Sequence, residues 1–321
     1  MTILVTGGSG FVGSNIVRQL ALEGHAVLSM DLNPPDALVQ KYLSPWSNQI
    51  TFLVGDIVDS ETLTAIASSN QIENIIHAAV YTAVTEELER ADSRRIIDIN
   101  LIGTTNLLDL ASRVKVKRFV YVSSGGVYEG STQSRNEETP VAPRQVYNIT
   151  KYASELLTER YSILHGFQSA SVRLGGPYGP MERVTSKRSV MSILHEWTGK
   201  AIRNEPIEIP ERNQWDFTYV HDIARGICKV LNAKHLPNNL YNLTSGNTTS
   251  LAQLINTFQQ VYPGVEFIGS IPAQETDSDN PLRTTMDSSR IKKDLGFSPE
   301  YDIFDGLNAY FKWREEYNYT E

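Results

Sequence analysis

A glycine-rich turn directly after the first predicted strand constrains the fold of this chain most. Residues 3–6 predict a buried strand, and residues 11–23 predict a helix. Between them, Gly7, Gly10 and Gly13 follow the spacing G-x-x-G-x-x-G. A dinucleotide pyrophosphate needs backbone N–H groups at a helix N-terminus and no side chains in its path. The turn therefore predicts a dinucleotide site, and a purely structural tight turn is the alternative.

Short apolar runs and helical patterns alternate through the first half of the chain. Further strands are predicted near residues 26–30, 51–54, 74–77, 119–122 and 170–174, with helices near 61–67, 93–113 and 147–165. Strands that are apolar on both faces and alternate with helices are typical of a parallel sheet covered on both sides. We therefore expect an α/β protein with a doubly wound parallel (Rossmann) sheet in residues 1–174. Residues 175–321 are expected to form a smaller C-terminal substrate-binding lobe, with some segments returning to the sheet.

Composition and charge exclude several other classes of protein. The 321 residues contain one cysteine, Cys228, so an internal disulfide is excluded, and the six histidines show no metal-ligand spacing. No stretch approaches the ~20 apolar residues that a membrane helix needs, and the N-terminus does not have the pattern of a signal peptide. The net charge of −8 disfavours a polyanionic partner. We expect a cytoplasmic protein with no nucleic-acid or membrane partner and no metal.

Asp31 closes the second predicted strand, 18 residues after Gly13. An acid at an offset of ~20 residues is expected to bind the ribose of the dinucleotide. Its carboxylate would accept hydrogen bonds from both ribose hydroxyls and repel a 2′-phosphate, and no arginine follows within the next several residues. This favours NAD over NADP, and a solvated acid at a strand end is the alternative.

Tyr147 and Lys151 lie one helical turn apart on the same face of a predicted helix, and Ser124 follows the strand near 119–122. Oxidation of a secondary alcohol requires removal of the O–H proton as hydride leaves carbon. A tyrosine of pKa ~10 becomes a base near neutral pH only where positive charge lowers that pKa. We expect Tyr147 to be the base, Lys151 to supply charge and Ser124 to hold the substrate oxygen. Taken singly, a packed tyrosine, a surface lysine and a strand-end serine are the alternatives.

The ordered motifs of the chain resemble the extended short-chain dehydrogenase/reductases, the NAD-dependent epimerase/dehydratase group. The matching segments span nearly the whole chain: Thr6–Gly13, Asp31, Gly55–Ile57, His77–Ala79, Asn100, Ser123–Ser124, Val127–Tyr128, Tyr147/Lys151, Arg173–Pro180, Asp216–Asp222 and Asp287–Pro299.

The resemblance implies a cofactor-binding set and an assembly state. Asp56 and Ile57 would touch adenine, Ala78 and Ala79 the cofactor backbone, and Lys151 the nicotinamide ribose. The whole implied NAD-binding set is Gly7, Gly10, Phe11, Val12, Gly13, Asp31, Asp56, Ile57, Ala78, Ala79, Asn100, Tyr147 and Lys151. A homodimer through the helices near 93–113 and 144–165 is also implied, with an ordinary apolar core face as the alternative.

Departures from the family pattern narrow the range of reactions that we expect this chain to catalyse. The 4,6-dehydratases of the family place an acidic pair after the catalytic hydroxyl, where this chain has Gly125 and Gly126. The nucleotide-sugar epimerases hold the substrate diphosphate with two arginines, where this chain has Trp215 and the acidic loop 275–279. Arg212 or Arg283 is close enough in sequence to substitute, and Trp215 is equally compatible with plain packing.

These residues favour an NAD-dependent enzyme that transfers hydride at a secondary hydroxyl of a sugar-like or polyhydroxylated substrate. The absence of the two arginines that hold a diphosphate in the epimerases favours net oxidation of a substrate without a nucleotide diphosphate. A UDP-sugar 4-epimerase is the main alternative, because it uses the same three residues and returns hydride to the opposite face after the keto intermediate rotates. A non-catalytic NAD-binding scaffold is a third hypothesis. His77 and His221 are expected to be structural, and Asp222 to cap a helix.

Overall fold

Seven parallel strands form the central sheet of the protein. The computed structural model describes residues 1–128, 135–185, 188, 190–212, 214–270 and 285–321. The sheet strands are β1 Thr2–Thr6, β2 Ala26–Asp31, β3 Ile50–Val54, β4 Asn74–His77, β5 Arg118–Ser124, β6 Gln168–Leu174 and β11 Leu240–Leu243. Their order across the sheet is β11-β6-β5-β4-β1-β2-β3. The doubly wound α/β fold predicted from the sequence is confirmed.

The strand order reverses between β1 and β4, and this switch point determines where ligands bind. Thr6 at the end of β1 pairs with Met30 of β2 on one side and with His77 of β4 on the other. Ligands of open parallel sheets bind in the crevice beyond the carboxyl ends of the strands at such a point. The turns after β1, β4 and β5 all open into this crevice.

Two helical layers cover the sheet. The helices are α1 Phe11–Leu22, α2 Ala37–Leu43, α3 Ser60–Ser69, α4 Glu86–Ile97, α5 Gly103–Val114, α6 Val146–His165, α7 Ile193–Ile202, α8 Val220–Asn232, α9 Leu251–Val261, α10 Ser289–Leu295 and α11 Ile303–Tyr317. Helices α1 and α8 pack against each other on one face, while α3, α5 and α6 pack side by side on the other. Each face buries its own apolar cluster, as expected for a parallel sheet.

The second half of the chain contributes short two-stranded ladders, α7–α11 and one strand of the main sheet. The ladder strands are β7 Gly176–Tyr178, β8 Ile207–Glu208, β9 Gln214–Trp215, β10 Phe217–Tyr219, β12 Thr249–Ser250 and β13 Phe267–Ile268. Strand β11 pairs in parallel with β6, from Leu240 opposite Ser171 to Leu243 opposite Leu174. Residues 175–177, 183–185, 190–193 and 215–217 of this half line the crevice.

The helix predicted near 93–113 is divided in the structure. Helix α4 begins earlier, at Glu86, and a π-helical segment, Asp98–Ile102, joins it to α5. Within this segment the Asn100 carbonyl accepts hydrogen bonds from the hydroxyls of Thr104 (2.6 Å) and Ser154 (3.0 Å). These side-chain donors accompany the local departure from α-helical geometry.

Candidate active site

At the glycine turn before α1, backbone segments pack directly against each other without intervening side chains. Gly7 has φ +70°, and a Cβ there would lie 2.7 Å from the Ala79 nitrogen. A Cβ at Gly13 would lie 1.9 Å from the Gly7 carbonyl oxygen. Only glycine fits both positions. The N-terminus of the twelve-residue α1 is therefore left open toward the crevice, where it can hold an anionic group.

A single cavity of about 1090 Å³ extends from this turn past the end of β5 into the second half of the chain. All but one of the predicted site residues line it: Gly7, Gly10, Phe11, Val12, Gly13, Asp31, Asp56, Ile57, Ala78, Ala79, Ser124, Tyr147 and Lys151. The fold thus brings residues that are up to 144 positions apart in sequence into one site.

Asn100 does not line this cavity and is the exception. It is 2% exposed. Its side chain accepts a hydrogen bond from the Tyr81 N–H (2.8 Å) and donates to the Tyr81 carbonyl (3.1 Å) and the Thr150 hydroxyl (3.2 Å). Its side chain thus braces Tyr81 and α6 behind the cavity, and its cofactor-binding role stays a prediction.

Asp31 lies at the end of β2 and faces the cavity near the glycine turn. Its carboxylate accepts hydrogen bonds from the N–H groups of Ser9 (3.0 Å) and Leu32 (2.8 Å). Burial raises the pKa of Asp31, while these bonds and the charge of Arg183 oppose the rise. Arg183 itself pairs with Asp36 (3.0 Å). Sequence reasoning missed Arg183, since it arrives from the second half of the chain.

Ser124, Tyr147 and Lys151 meet where β5 ends and α6 begins. Lys151 Nζ donates to the Val122 carbonyl (2.7 Å) and lies 5.9 Å from the centre of the Tyr147 ring. Ser124 Oγ accepts a hydrogen bond from the Gly126 N–H (3.1 Å). Lys151 is 3% exposed, and burial lowers its pKa to about 7, opposed by the charge of Glu155. Its positive charge is therefore lost as the pH rises through about 7.

A buried ion pair supports these residues from behind. Glu155, one turn after Lys151 on α6, binds Arg173 through two bonds, Nε to Oε1 (2.9 Å) and Nη2 to Oε2 (2.6 Å). Its Oε1 also accepts a hydrogen bond from the Ser123 hydroxyl. The sequence contained a signal for each member of this pair, since Glu155 follows Lys151 by four residues and Arg173 begins a family motif. That the two side chains bind each other could be seen only in the folded structure.

The substrate half of the cavity contains the departures noted in the sequence. Trp215 lines the cavity and also packs, because its ring stacks on Phe217 (centroids 5.8 Å apart, interplanar angle 9°). Arg212 lines the cavity with its guanidinium carbon 5.3 Å from the Trp215 ring centre. Arg283 and the acidic loop 275–279 lie outside the described residues.

The histidines in the family motifs are structural, as expected. His77 is bonded to the hydroxyls of Thr6 (2.8 Å) and Thr104 (2.9 Å). His221 is bonded to the Tyr42 hydroxyl (3.1 Å). Asp222 does not cap its own helix; its carboxylate accepts hydrogen bonds from the N–H groups of Glu300 and Tyr301, ahead of α11.

No described helix is long and apolar enough to cross a membrane. Within the same described ranges, no three His, Cys, Asp or Glu side chains are grouped so that they could hold a metal ion.

Known proteins share both the sequence and the fold of this chain. The chain is 32% identical over 98% of its length to a UDP-glucuronate 4-epimerase of Thermodesulfobacterium geofontis, covering 96% of that protein. It is 30% identical over 97% of its length to a dTDP-glucose 4,6-dehydratase of Streptomyces griseus, covering 93% of that protein. A crystal structure of a UDP-glucose 4-epimerase from Thermotoga maritima has a TM-score of 0.83, with 24% identity and coverage of 98% and 99% of the two chains.

The family assignment rests on residues 3–244, which match the model of the NAD dependent epimerase/dehydratase family. This span contains the glycine turn, Asp31, Ser124, Tyr147 and Lys151. The resemblance inferred from the motifs is therefore confirmed. The chain belongs to the NAD-dependent epimerase/dehydratase family and is an NAD-dependent enzyme.

Proposed function

We propose that this enzyme transfers hydride at a secondary hydroxyl of a sugar, with Tyr147 as the base. The observation that carries the proposal is the position of Ser124, Tyr147 and Lys151 on one cavity that continues to the glycine turn. Ser124 holds the substrate oxygen, and Tyr147 takes its proton. Lys151, when protonated, stabilises the tyrosinate that forms.

The residues of the cofactor half fit NAD. The glycine turn leaves space beside the N-terminus of α1 for a pyrophosphate, and Asp31 faces the cavity where a ribose diol would be bound. When bound, NAD supplies the hydride acceptor. The other proposed contacts are Phe11, Val12, Asp56, Ile57, Ala78 and Ala79, all of which line the same cavity.

Dehydration is not part of the proposal, because Gly125 and Gly126 stand where the dehydratases of the family place their acidic pair. A Cβ on Gly125 would lie 2.6 Å from Met286 Sδ, and a Cβ on Gly126 would lie 2.2 Å from Asn148 Oδ1. Neither position has room for a carboxylate side chain without repacking. The kinship with dTDP-glucose 4,6-dehydratases therefore supports a shared oxidation step and not a shared elimination.

A UDP-sugar 4-epimerase is the second candidate, and Arg212 is the observation that favours it. The family arginine that would hold a diphosphate is Trp215 here, but Arg212 presents a guanidinium on the cavity wall beside that ring. A guanidinium there can bind a diphosphate. This weakens the argument for a substrate without a nucleotide. The relative described as a UDP-glucuronate 4-epimerase supports the same candidate.

One experiment separates the two candidates. The enzyme with added NAD is given UDP-glucose, UDP-galactose, UDP-glucuronate and the corresponding free sugars and sugar acids. Net oxidation gives NADH in proportion to substrate consumed. Conversion of UDP-galactose to UDP-glucose without NADH accumulation identifies an epimerase and contradicts net oxidation. If no substrate of the panel is turned over and none stabilises the protein, the proposed sugar specificity is wrong.

We further propose a homodimer built on α4, α5 and α6. Ile149, Leu156 and Ile163 recur every seven residues on α6 and are 45%, 50% and 66% exposed. Ile97 at the end of α4 and Ile102 before α5 are also exposed. An apolar stripe of this kind is characteristic of a helix that packs against a partner.

A further inference from the structure

Two arginines of the second half of the chain contact the turns that surround the cofactor half of the cavity. Arg183 Nη2 donates to the Ser9 carbonyl (3.0 Å), after β1, and to Asp36 Oδ2 (3.0 Å), after β2. Arg188 forms a parallel bridge with Thr82, after β4. All five residues line the cavity. Since β4, β1 and β2 are neighbours in the sheet, the second half of the chain is fastened to the crevice on both sides of its switch point.

The backbone beside Arg183 is anchored inside the protein. Glu182 is fully buried, and its carboxylate accepts hydrogen bonds from the N–H and the hydroxyl of Ser192 (both 2.7 Å). Ser192 is the N-cap of α7. The same carboxylate pairs with Arg188 (2.8 Å). Arg183, which follows Glu182 directly, therefore extends toward the glycine turn from a fixed base.

The two acceptors of Arg183 are themselves held by the turns to which they belong. Ser9 donates its N–H to Asp31 (3.0 Å), so the residue that accepts from Arg183 also holds the acid proposed to bind the ribose. Asp36 is the N-cap of α2, where its Oδ1 accepts from the Val39 N–H (2.9 Å) and its Oδ2 is left for the arginine. Arg183 therefore connects two ordered turns of the cofactor half to the second half of the chain.

The Arg183 bonds are partly shielded from water. The side chain of Arg183 is 13% exposed, whereas that of Asp36 is 55% exposed. A charge-assisted bond to a largely buried guanidinium is stronger than an ion pair between two exposed side chains. Separation of the second half from the glycine turn breaks these bonds, so they oppose opening of the cofactor half on this side.

We propose that Arg183 is a positioning residue that keeps the cofactor half closed over NAD and thereby slows release of the dinucleotide. It does so by fastening the second half of the chain to Ser9 and Asp36. The inference goes beyond the hydride-transfer proposal, because it concerns retention of the cofactor, and it rests only on the NAD site of that proposal.

Release is measured on the enzyme loaded with radiolabelled NAD and chased with excess unlabelled NAD, with no sugar present. Arg183→Gln should raise the release rate by about 10-fold or more, because it removes two charge-assisted bonds. Asp36→Asn should raise it less, since asparagine still caps α2 and the bond to Ser9 remains. The double variant should release NAD no faster than Arg183→Gln alone.

Two further variants separate this role from a general effect on stability. Arg183→Lys, which keeps the charge but not the planar fork of donors, should restore part of the wild-type rate. Arg203→Gln is the matched control, because Arg203 also pairs with an acid, Glu205 (2.8 Å), and donates to a backbone carbonyl, that of Thr320, but does not line the cavity. It should release NAD at the wild-type rate.

The outcomes distinguish this inference from the hydride-transfer proposal. Equal release rates in the wild type and Arg183→Gln, or an equal increase in Arg203→Gln, would overturn the role of Arg183 and leave the hydride-transfer proposal intact. Faster release from Arg183→Gln in an enzyme that turns over no sugar would support the role of Arg183 and contradict the hydride-transfer proposal. A wild-type enzyme that binds no NAD would overturn both.

Discussion

At the scale of single residues, the proposed chemistry of the site requires Lys151 to keep its positive charge inside the protein. Burial disfavours the ammonium, whereas the Val122 carbonyl (2.7 Å) and the Glu155 carboxylate favour it. Since Glu155 is held by Arg173 through two bonds, this acid cannot turn away from the lysine without breaking a buried ion pair. The ion pair therefore holds the Glu155 carboxylate in place beside Lys151, the proposed catalytic lysine.

Glu155→Gln is predicted to impair the enzyme in two separable ways. The buried Arg173 loses its counter-charge, so the free energy of unfolding should fall by about 3–5 kcal/mol. The Lys151 pKa should also fall below about 7, because a negative charge that raises it is removed. The alkaline limb of the kcat/KM profile should then move to lower pH.

The control for this prediction is Glu159→Gln, one turn further along α6 at an exposed site where the acid contacts Asn239. It should leave both the stability and the pH profile near wild type. A Glu155→Gln enzyme that is destabilised but keeps the wild-type alkaline limb would show that Glu155 is purely structural.

The sequence motifs located residues that line the cavity, but they did not reveal residues that the fold brings to the site from distant segments. The glycines, Asp31, Ser124, Tyr147 and Lys151 follow directly from turn and strand ends. Arg183 and the Glu155–Arg173 pair approach the site from elsewhere in the chain. Arg183 arrives with the second half of the chain, and Glu155 meets Arg173 because α6 packs on β6. Local spacing encodes neither contact.

At the scale of elements, the strands of the sheet were predictable because they are buried on both faces. β1, β4 and β5 are continuous apolar or β-branched runs, so they need no periodicity to be recognised. The seven-residue α2 was missed, since it follows two prolines and owes its start to Asp36, whose carboxylate accepts a hydrogen bond from the Val39 N–H (2.9 Å). The two- and three-residue ladder strands β7–β10, β12 and β13 were likewise missed, because tertiary pairing and not local sequence forms them.

The exposed stripe on α6 gives a prediction at this scale. Leu156→Glu places a charge in the centre of the proposed dimer interface and should shift the protein toward the monomer, because burial of an unpaired carboxylate is unfavourable. Sedimentation velocity over a range of protein concentrations measures the shift. Ile268→Glu, at a 48% exposed site on β13, is the matched control and should sediment like the wild type. A wild-type protein that is monomeric at every concentration would contradict the dimer.

At the scale of the whole molecule, three buried histidines couple folding to pH. Burial lowers the pKa of His77, His195 and His221 to about 3, with nearby cations adding to the effect. In the unfolded chain the pKa of each is ~6.5. Between these values the unfolded state binds more protons than the folded state, so stability decreases as the pH falls from about 6.5 toward 3.

The free energy of unfolding should therefore decrease below pH 6 by about 1 kcal/mol per pH unit for each of these histidines. Urea unfolding at pH 7, 6 and 5 measures this slope. His77→Gln should be less stable at pH 7, because it disturbs the bonds to Thr6 and Thr104, but its slope should be shallower. His235→Gln, at an exposed position, should retain the wild-type slope. A slope unchanged in His77→Gln would exclude this histidine as a source of the acid sensitivity.

The most direct test of the account is the Tyr147→Phe enzyme, measured for turnover and for NAD affinity side by side. The phenol of Tyr147 is assigned the proton transfer, whereas the glycine turn and Asp31 are assigned most of the cofactor contacts on the same cavity. Turnover of the best substrate in the panel should fall by at least about 100-fold, while the dissociation constant for NAD stays within about 3-fold of wild type. Wild-type turnover in Tyr147→Phe would contradict the central claim that Tyr147 is the base.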